Sequence, residues 1–85
     1  MNYTEIPAIS GEQLLKLLEK DSWELGRKTT HGISIKKYIK GHWKVAIIPK
    51  TGASLPIGTL SAILGSKQTG IGKKGLLELL NKYGL

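Results

Sequence analysis

Cysteine is absent from the sequence, and so is any long apolar segment. Without a thiol the chain can form no disulfide, no thiolate metal site and no cysteine nucleophile, so its stability must come from packing. No apolar run approaches the length of a membrane span, and "MNYTEIPAIS" lacks the basic, apolar and small-residue order of a signal peptide. We expect residues 1–85 to form one domain of a cytoplasmic protein.

Carboxylates are missing from most of the chain. The acidic residues are Glu5, Glu12, Glu19, Asp21, Glu24 and Glu78. The span from Leu25 to Leu77 therefore has none, yet it holds most of the cations behind the net charge of +7. A two-metal nuclease or a glycosidase with paired carboxylates needs clustered acids, which this span cannot supply. The segregated charge instead predicts attraction to polyanions such as RNA or DNA.

A helix is predicted to begin at Ser10. Ser10 and Gln13 have the spacing of a capping box, and Ile9 stands where a hydrophobic staple would contact Leu14. An apolar stripe of helical period follows, formed by Leu14, Leu15, Leu17 and Leu18. This helix is therefore expected to lie on a core.

Three strands are predicted after Trp23, where the apolar period changes to two. The segments "WELGRKT", "ISIKKYI" and "HWKVAII" are joined by a turn at residues 30–32 and by a short hairpin at Lys40 and Gly41. The apolar sides of the strands are expected to be Trp23, Leu25 and Arg27; Ile33, Ile35 and Ile39; and Trp43, Val45 and Ile47. Both tryptophans are interpreted as core residues.

Two further helices are predicted in the last third of the chain. "GTLSAIL" places Leu60, Ile63 and Leu64 on one face, with Gly65 as its stop. "KKGLLELLNKYG" is the closing helix, with Leu76, Leu77, Leu79 and Leu80 on its apolar side and Gly84 near its end. The predicted fold is α+β, in the order α-β-β-β-α-α, with helices packed on one face of a three-stranded antiparallel sheet.

The glycine-rich segment "GIGKKG" matches the pattern G-x-G-x-x-G. A dinucleotide site needs a strand before this pattern, but here a helix is predicted before it, and a P-loop lacks its first glycine and its final serine or threonine. The same segment resembles the glycine hairpin of helix-hairpin-helix DNA-binding modules, in which backbone amides and lysines hold a phosphate. That resemblance covers only about the last third of the chain.

His31 stands in the cationic segment "RKTTHGISIKK". A histidine among cations suits work on an anionic substrate. RNA carries its own nucleophile: a base removes the 2′-hydroxyl proton, the oxygen attacks the adjacent phosphorus, and a cation stabilises the transition state. Arg27, Lys28 or Lys36 are candidates for that cation.

A structural role is the alternative for the same histidine. His31 has the parity of Ile33 and Ile35, so it is also compatible with the rim of the core. The second histidine, His42, alternates with Trp43 and is expected on the face away from the apolar residues.

Three stretches, "SGEQLLKLLEKDSWEL", "RKTTHGISI" and "IPKTGASLPIGTLSAIL", together resemble the HicA (YcfA-like) family of toxin mRNA interferases. The resemblance implies an α-β-β-β-α core related to the double-stranded RNA-binding domain and neutralisation by a HicB antitoxin. It also implies RNA cleavage without a metal by a histidine at the start of the second strand, a position that falls on His31. Gly58, Thr59 and Leu60 match the family's Gly-Thr-Leu at the entry to the second helix.

The chain departs from the family's pattern at two places. Thr29 and Thr30 stand where the family usually has Gly-Ser before its histidine. The lysine cluster that double-stranded RNA-binding modules carry at their last helix is missing from "LPIGTL". A short or single-stranded RNA site therefore fits better than long duplex RNA.

The sequence predicts an endoribonuclease that is the toxin of a type II toxin-antitoxin system, with His31 as general acid/base. Its expected partners are mRNA and a HicB-like antitoxin, with no cofactor, metal or membrane. The expected RNA-binding residues are Arg27, Lys28, Lys36, Lys37 and Lys44. The alternative is a non-catalytic nucleic-acid-binding module, which would bind DNA through the glycine hairpin within residues 60–84 or bind RNA without cleaving it.

Overall fold

Residues 3–85, which a computed structural model describes, form an α+β fold with three helices around a three-stranded sheet. The elements are α1 (Gly11–Lys20), β1 (Glu24–Thr29), β2 (Gly32–Ile39), β3 (His42–Ile48), α2 (Ile57–Leu64) and α3 (Gly72–Tyr83). The predicted order and the antiparallel meander are confirmed. Within the described part of the chain, no helix is both long and apolar enough to cross a membrane.

Helix α1 begins with the predicted capping box. The backbone N–H of Gln13 donates to Ser10 Oγ at 3.1 Å, and the N–H of Ser10 donates to Gln13 Oε1 at 3.0 Å. These two bonds satisfy amide groups that the first turn of a helix leaves without partners. The predicted leucine stripe is buried, as is Ile9 in front of it. Local sequence therefore decides both where this helix starts and which side faces the core.

Two tight turns connect the strands. Lys40 and Gly41 both have positive φ, as a type I′ hairpin requires, which confirms the predicted hairpin. The first turn consists of Thr30 and His31. There Thr29 Oγ1 donates to the carbonyl of Gly32 at 3.0 Å and accepts from the N–H of His31 at 3.2 Å. The Thr29 side chain thus ties the turn together from inside.

The predicted inner face of β3 is wrong. Trp43, Val45 and Ile47 are exposed, whereas Ala46 and Ile48 are 2% and 0% exposed. The second half of β3 is apolar on both sides, so its own alternation cannot select a face. Pairing with β2 selects it, because Ala46 lies opposite the buried Ile35, and residues directly opposite each other in an antiparallel pair share a face.

Strand β1 departs from the predicted alternation at a bulge. Leu25 pairs with Ile35 and Lys28 pairs with Ile33, so the step from Leu25 to Lys28 is one residue longer than the step on β2. Before the bulge the predicted inner face is kept: Trp23 is buried, and Leu25 lies opposite the inward-facing Ile35, although it is 47% exposed on this edge strand. After the bulge the face is lost, because Lys28 and not Arg27 pairs with the next inward residue of β2, Ile33. An inserted residue resets the side of every residue after it.

Helices α2 and α3 complete the core on one side of the sheet. Gly65 and Gly84 cap their C-terminal ends, as predicted. The buried side chains are Ile63 and Leu64 from α2 and Leu76, Leu79 and Leu80 from α3. Leu60 and Leu77, also predicted on the apolar faces, are half-buried.

The segment between α2 and α3 runs along the free edge of β3. Gln68 Oε1 accepts from the backbone N–H of Ile47 at 3.1 Å, and Lys44 Nζ donates to the carbonyl of Ser66 at 3.0 Å. Thr69 is buried, and its hydroxyl donates to the carbonyl of Ile63 at 2.7 Å. The connection therefore occupies part of a strand edge that would otherwise be open to pairing with another chain.

Candidate active site

His31 lies at the surface in the turn between β1 and β2. Its backbone is held by Thr29, and the next residue, Gly32, is pressed against the end of β3, where an added Cβ would overlap the carbonyl oxygen of Ile48. The imidazole makes no hydrogen bond or ion pair with any residue from 3 to 85. A fixed backbone thus presents a side chain whose two nitrogens are open to a substrate.

The exposed position of His31 argues against the structural interpretation of this histidine. His31 is not enclosed in the core, although it precedes the inward-facing Ile33 and Ile35. A rim histidine that helps to hold the core would be expected to bond its ring nitrogens to nearby groups. The free ring is compatible with proton transfer to and from a bound molecule.

An open depression of about 720 Å³ adjoins His31. It lies between β3 and α2, and its lining residues are His31, Val45, Ala46, Ile47, Pro49, Gly58, Thr59, Ala62, Ile63 and Gln68. Thr59 and Gln68 contribute polar side chains, and no carboxylate occurs among the described lining residues. The fold therefore brings His31 to Gly58 and Thr59, which are distant in sequence.

The start of α2 adds a positive end to this depression. Pro56 precedes the helix, and no side chain caps its first amide groups. Uncapped amides at a helix N-terminus carry partial positive charge and bind phosphate groups readily. Because Gly58 and Thr59 line the depression, the first turn of α2 and His31 border the same open space.

The five predicted RNA-binding cations fall into two groups. Arg27 and Lys28 are exposed and belong to the part of β1 that leads to the His31 turn. Lys36 is also exposed, but it lies five residues beyond His31 on β2, roughly 16 Å away along the strand. Arg27 and Lys28 are therefore the cations placed nearest to the histidine along the chain.

The other two cations are already engaged within the protein. Lys37 Nζ lies 3.2 Å from the Asp21 carboxylate and donates to the Asp21 carbonyl at 2.7 Å. Lys44 Nζ donates to Ser66. Their ammonium groups connect secondary-structure elements, so contact with RNA would compete with these bonds.

The second histidine cannot work together with the first. His42 is exposed at the start of β3, next to the β2–β3 turn, whereas His31 precedes the opposite end of β2. The eight residues of β2 separate them, which places them roughly 25 Å apart. A paired-histidine mechanism within one chain is excluded by this distance.

Sequence reasoning missed the aromatic residues on the outer side of the sheet. Tyr38 and Trp43 are 59% and 55% exposed and pack edge to face with ring centroids 5.3 Å apart. Their common face was foreseeable from β2, where Ser34, Lys36 and Tyr38 alternate with Ile33, Ile35 and Lys37. Thr59 was noted only as part of a resemblance, and Gln68 gave no signal in sequence.

The rest of the described surface offers no metal site, and its second depression has no histidine in its lining. Among residues 3–85, no three His, Cys, Asp or Glu side chains lie close enough to hold a metal ion. A second depression of about 550 Å³, mainly apolar, lies between the N-terminal segment and helices α2 and α3. Its lining includes Glu5 and Lys73 but neither histidine.

Comparison with protein-family models, curated proteins and solved structures found no match for this chain.

Proposed function

We propose that this protein is an endoribonuclease that cleaves mRNA without a metal and serves as the toxin of a type II toxin-antitoxin system. The observation that carries the proposal is the exposed, unbonded imidazole of His31, which lines the same depression as the uncapped start of α2. A proton acceptor and a phosphate-binding element next to each other are the minimum that cleavage at a ribose 2′-hydroxyl requires.

The reaction begins when neutral His31 accepts the proton of a ribose 2′-hydroxyl. The 2′-oxygen then attacks the adjacent phosphorus, and the bond from phosphorus to the 5′-oxygen breaks. The products are a 2′,3′-cyclic phosphate and a 5′-hydroxyl, whose proton comes from water or from the imidazolium. The amides at the start of α2, with Arg27 or Lys28, stabilise the negative charge that builds up on the phosphoryl oxygens.

The HicA-like identity belongs to the same proposal. The observed α-β-β-β-α-α order agrees with the dsRBD-like core that the family resemblance implies, and His31 lies at the entry to β2. Gly58 and Thr59, which match the family's Gly-Thr-Leu, line the same depression as His31. Under this proposal the protein partner is a HicB-like antitoxin that covers His31 and the surrounding cations.

Replacing His31 tests the catalytic role. His31→Ala should reduce the rate of RNA cleavage by roughly 10²- to 10⁴-fold, because it removes the acid/base group. Purified protein should cleave single-stranded RNA in EDTA and leave DNA of the same sequence intact, because DNA has no 2′-hydroxyl. Induced expression of the parent chain should arrest growth, and expression of the variant should not.

His42→Ala is the matched control. It removes the other exposed histidine, at the opposite end of β2, and should keep both cleavage and toxicity. Equal cleavage by the parent and His31→Ala, or cleavage by neither over long incubation, would refute the nuclease.

The glycine hairpin supports a second candidate function, which is DNA binding without catalysis. Gly70 and Gly72 both have positive φ, and the ammonium of Lys44 lies beside Gly70. A turn of this kind can direct backbone amides toward a phosphate. This candidate would replace the first if a double substitution, Lys73→Ala with Lys74→Ala, abolished nucleic-acid binding while His31→Ala changed neither binding nor cleavage.

A further inference from the structure

The outer side of the sheet carries an exposed apolar surface that the catalytic proposal does not use. We call it the open face, and define it by Ser34, Lys36, Tyr38, Trp43, Val45 and Ile47. Its four apolar members are each more than a third exposed, with Trp43 at 55% and Tyr38 at 59%. Large apolar side chains grouped on one surface, with a cation among them, mark a binding site.

The two aromatic rings and the lysine on the open face are in contact. Tyr38 and Trp43 lie directly opposite each other on β2 and β3, with their ring planes at 70°. Lys36 Nζ lies 5.0 Å from the centre of the Trp43 ring. The ammonium covers a ring face on which a nucleobase would stack, so Lys36 must move aside when a base binds, and its flexible side chain can then reach the phosphate of that nucleotide.

The open face leads to His31. From the β2–β3 turn toward the histidine, the opposed pairs are Tyr38 with Trp43, Lys36 with Val45, and Ser34 with Ile47. Val45 and Ile47 also line the depression that contains His31. A ligand that lies along this row would therefore extend from the aromatic pair into the candidate active site.

The charge of the surroundings favours a polyanion over an apolar protein partner. Glu24 is the acidic member of the pairs on this side of the sheet, and it already lies 4.0 Å from Lys36. From Leu25 to Leu77 the chain has no carboxylate, and its net charge is +7. Aromatic rings on a sheet with lysines around them are a common arrangement for binding unpaired bases.

We propose that the open face binds single-stranded RNA, with bases stacked on Trp43 and Tyr38 and a phosphate held by Lys36. The strand then runs past Val45 and Ile47 to His31. This inference rests on the proposed function and names its substrate class. Duplex RNA is a poor ligand for this face, because its bases are stacked on one another and are not available to the rings.

Binding can be measured without cleavage in a His31→Ala background. A labelled single-stranded RNA of about 12 nucleotides, within the site sizes of single-strand-binding folds, is titrated and followed by fluorescence anisotropy. Adding Trp43→Ala should weaken binding about tenfold, and Tyr38→Ala should act in the same direction. Trp43→Phe should restore most of the affinity, because it keeps an aromatic ring.

Leu85→Ala is the matched control for the loss of an exposed apolar side chain. Leu85 is 54% exposed after α3 and belongs neither to the open face nor to the depression that His31 lines, so its truncation should leave RNA affinity unchanged. A duplex of the same length should bind more weakly than the single strand. Circular dichroism should show that the variants remain folded, because the substituted side chains lie outside the core.

The outcomes separate this inference from the nuclease. If Trp43→Ala binds single-stranded RNA as tightly as its background, the open face is not the RNA site, even if the parent protein cleaves RNA. If the parent protein cleaves nothing but Trp43→Ala weakens binding, the RNA site stands and the nuclease fails. If Trp43→Ala only disrupts self-association in sedimentation and keeps RNA affinity, the face is a protein interface and the inference is overturned.

Discussion

Gly11 and Gly58 show how much the surroundings of a single residue matter. Both occupy the first turn of a helix. Gly11 is buried, and a Cβ built on it would overlap the carbonyl oxygen of Pro49, whereas a Cβ on Gly58 would meet nothing within 4 Å. The close approach at Gly11 lets α1 pack on the segment after β3, where the N–H of Glu12 also donates to the carbonyl of Thr51 at 3.1 Å.

Gly11→Ala should therefore destabilise the protein by about 1–3 kcal/mol, because the added methyl group forces α1 away from backbone that cannot move easily. Gly58→Ala should leave stability unchanged or raise it by up to about 1 kcal/mol, since alanine is the better helix residue. Urea denaturation of both variants measures the difference. Equal stabilities would show that α1 does not pack on Pro49 as described.

The turn that carries His31 is held by a neighbouring side chain whose role the sequence does not show. The two threonines before it differ from the Gly-Ser that the family resemblance leads one to expect, but Thr29 has a structural use. Its hydroxyl bonds on both sides of the turn, to the carbonyl of Gly32 and from the N–H of His31. A side chain thus stabilises the turn that presents the imidazole.

At the scale of elements, an ion pair connects the end of α1 to the middle strand. Lys37 extends from β2 to the carboxylate and the carbonyl of Asp21, the residue that caps α1. Both side chains are about three-quarters buried, at 27% and 24% exposure. Partial burial reduces screening by water, so this pair should contribute more than an ordinary surface ion pair.

A double-mutant cycle with Lys37→Met and Asp21→Asn should give a coupling energy of about 1 kcal/mol. The matched control is the pair Lys36 and Glu24, which is 4.0 Å apart with side chains 53% and 63% exposed. Its coupling should be below about 0.5 kcal/mol. Urea denaturation of the two cycles provides the values, and equal couplings would contradict the structural role of Lys37.

For β3, the sequence predicts the ends of the strand but not its buried face. Its bounds were predicted correctly, because Lys40, Gly41 and Pro49 punctuate the chain on both sides. Its face was not, because Val45, Ala46, Ile47 and Ile48 give an apolar side chain in either direction. Only the register with β2 settles the face, and a register is a property of two strands.

At the scale of the whole molecule, cations and carboxylates are unequally distributed. Lys28, in the carboxylate-free part of the chain, is exposed on β1, whereas Lys20 is exposed at the end of α1 among Glu19, Asp21 and Glu24. Replacing either lysine by glutamine, as Lys28→Gln or Lys20→Gln, removes one positive charge. Their effects on RNA binding therefore separate a local phosphate contact from a general effect of net charge.

In the His31→Ala background, Lys28→Gln should reduce the slope of log K against log salt concentration by about 0.7 for single-stranded RNA, the value for one lost phosphate contact. Lys20→Gln should leave the slope unchanged. Anisotropy titrations at several salt concentrations measure both slopes. Equal changes would show that RNA responds to total charge and does not contact the β1 segment specifically.

Sequence alone sufficed for the order of the elements, the N-terminal cap of α1, the hairpin at Lys40 and Gly41, and the segregated charge around His31. These features are local, because capping, turn geometry and periodicity depend on residues close together in the chain. Tertiary packing was needed to turn Trp43 outward, to bind Lys37 to Asp21, and to bring His31 and the start of α2 to the same depression. Those arrangements need strand register and helix packing, which join residues that no local pattern connects.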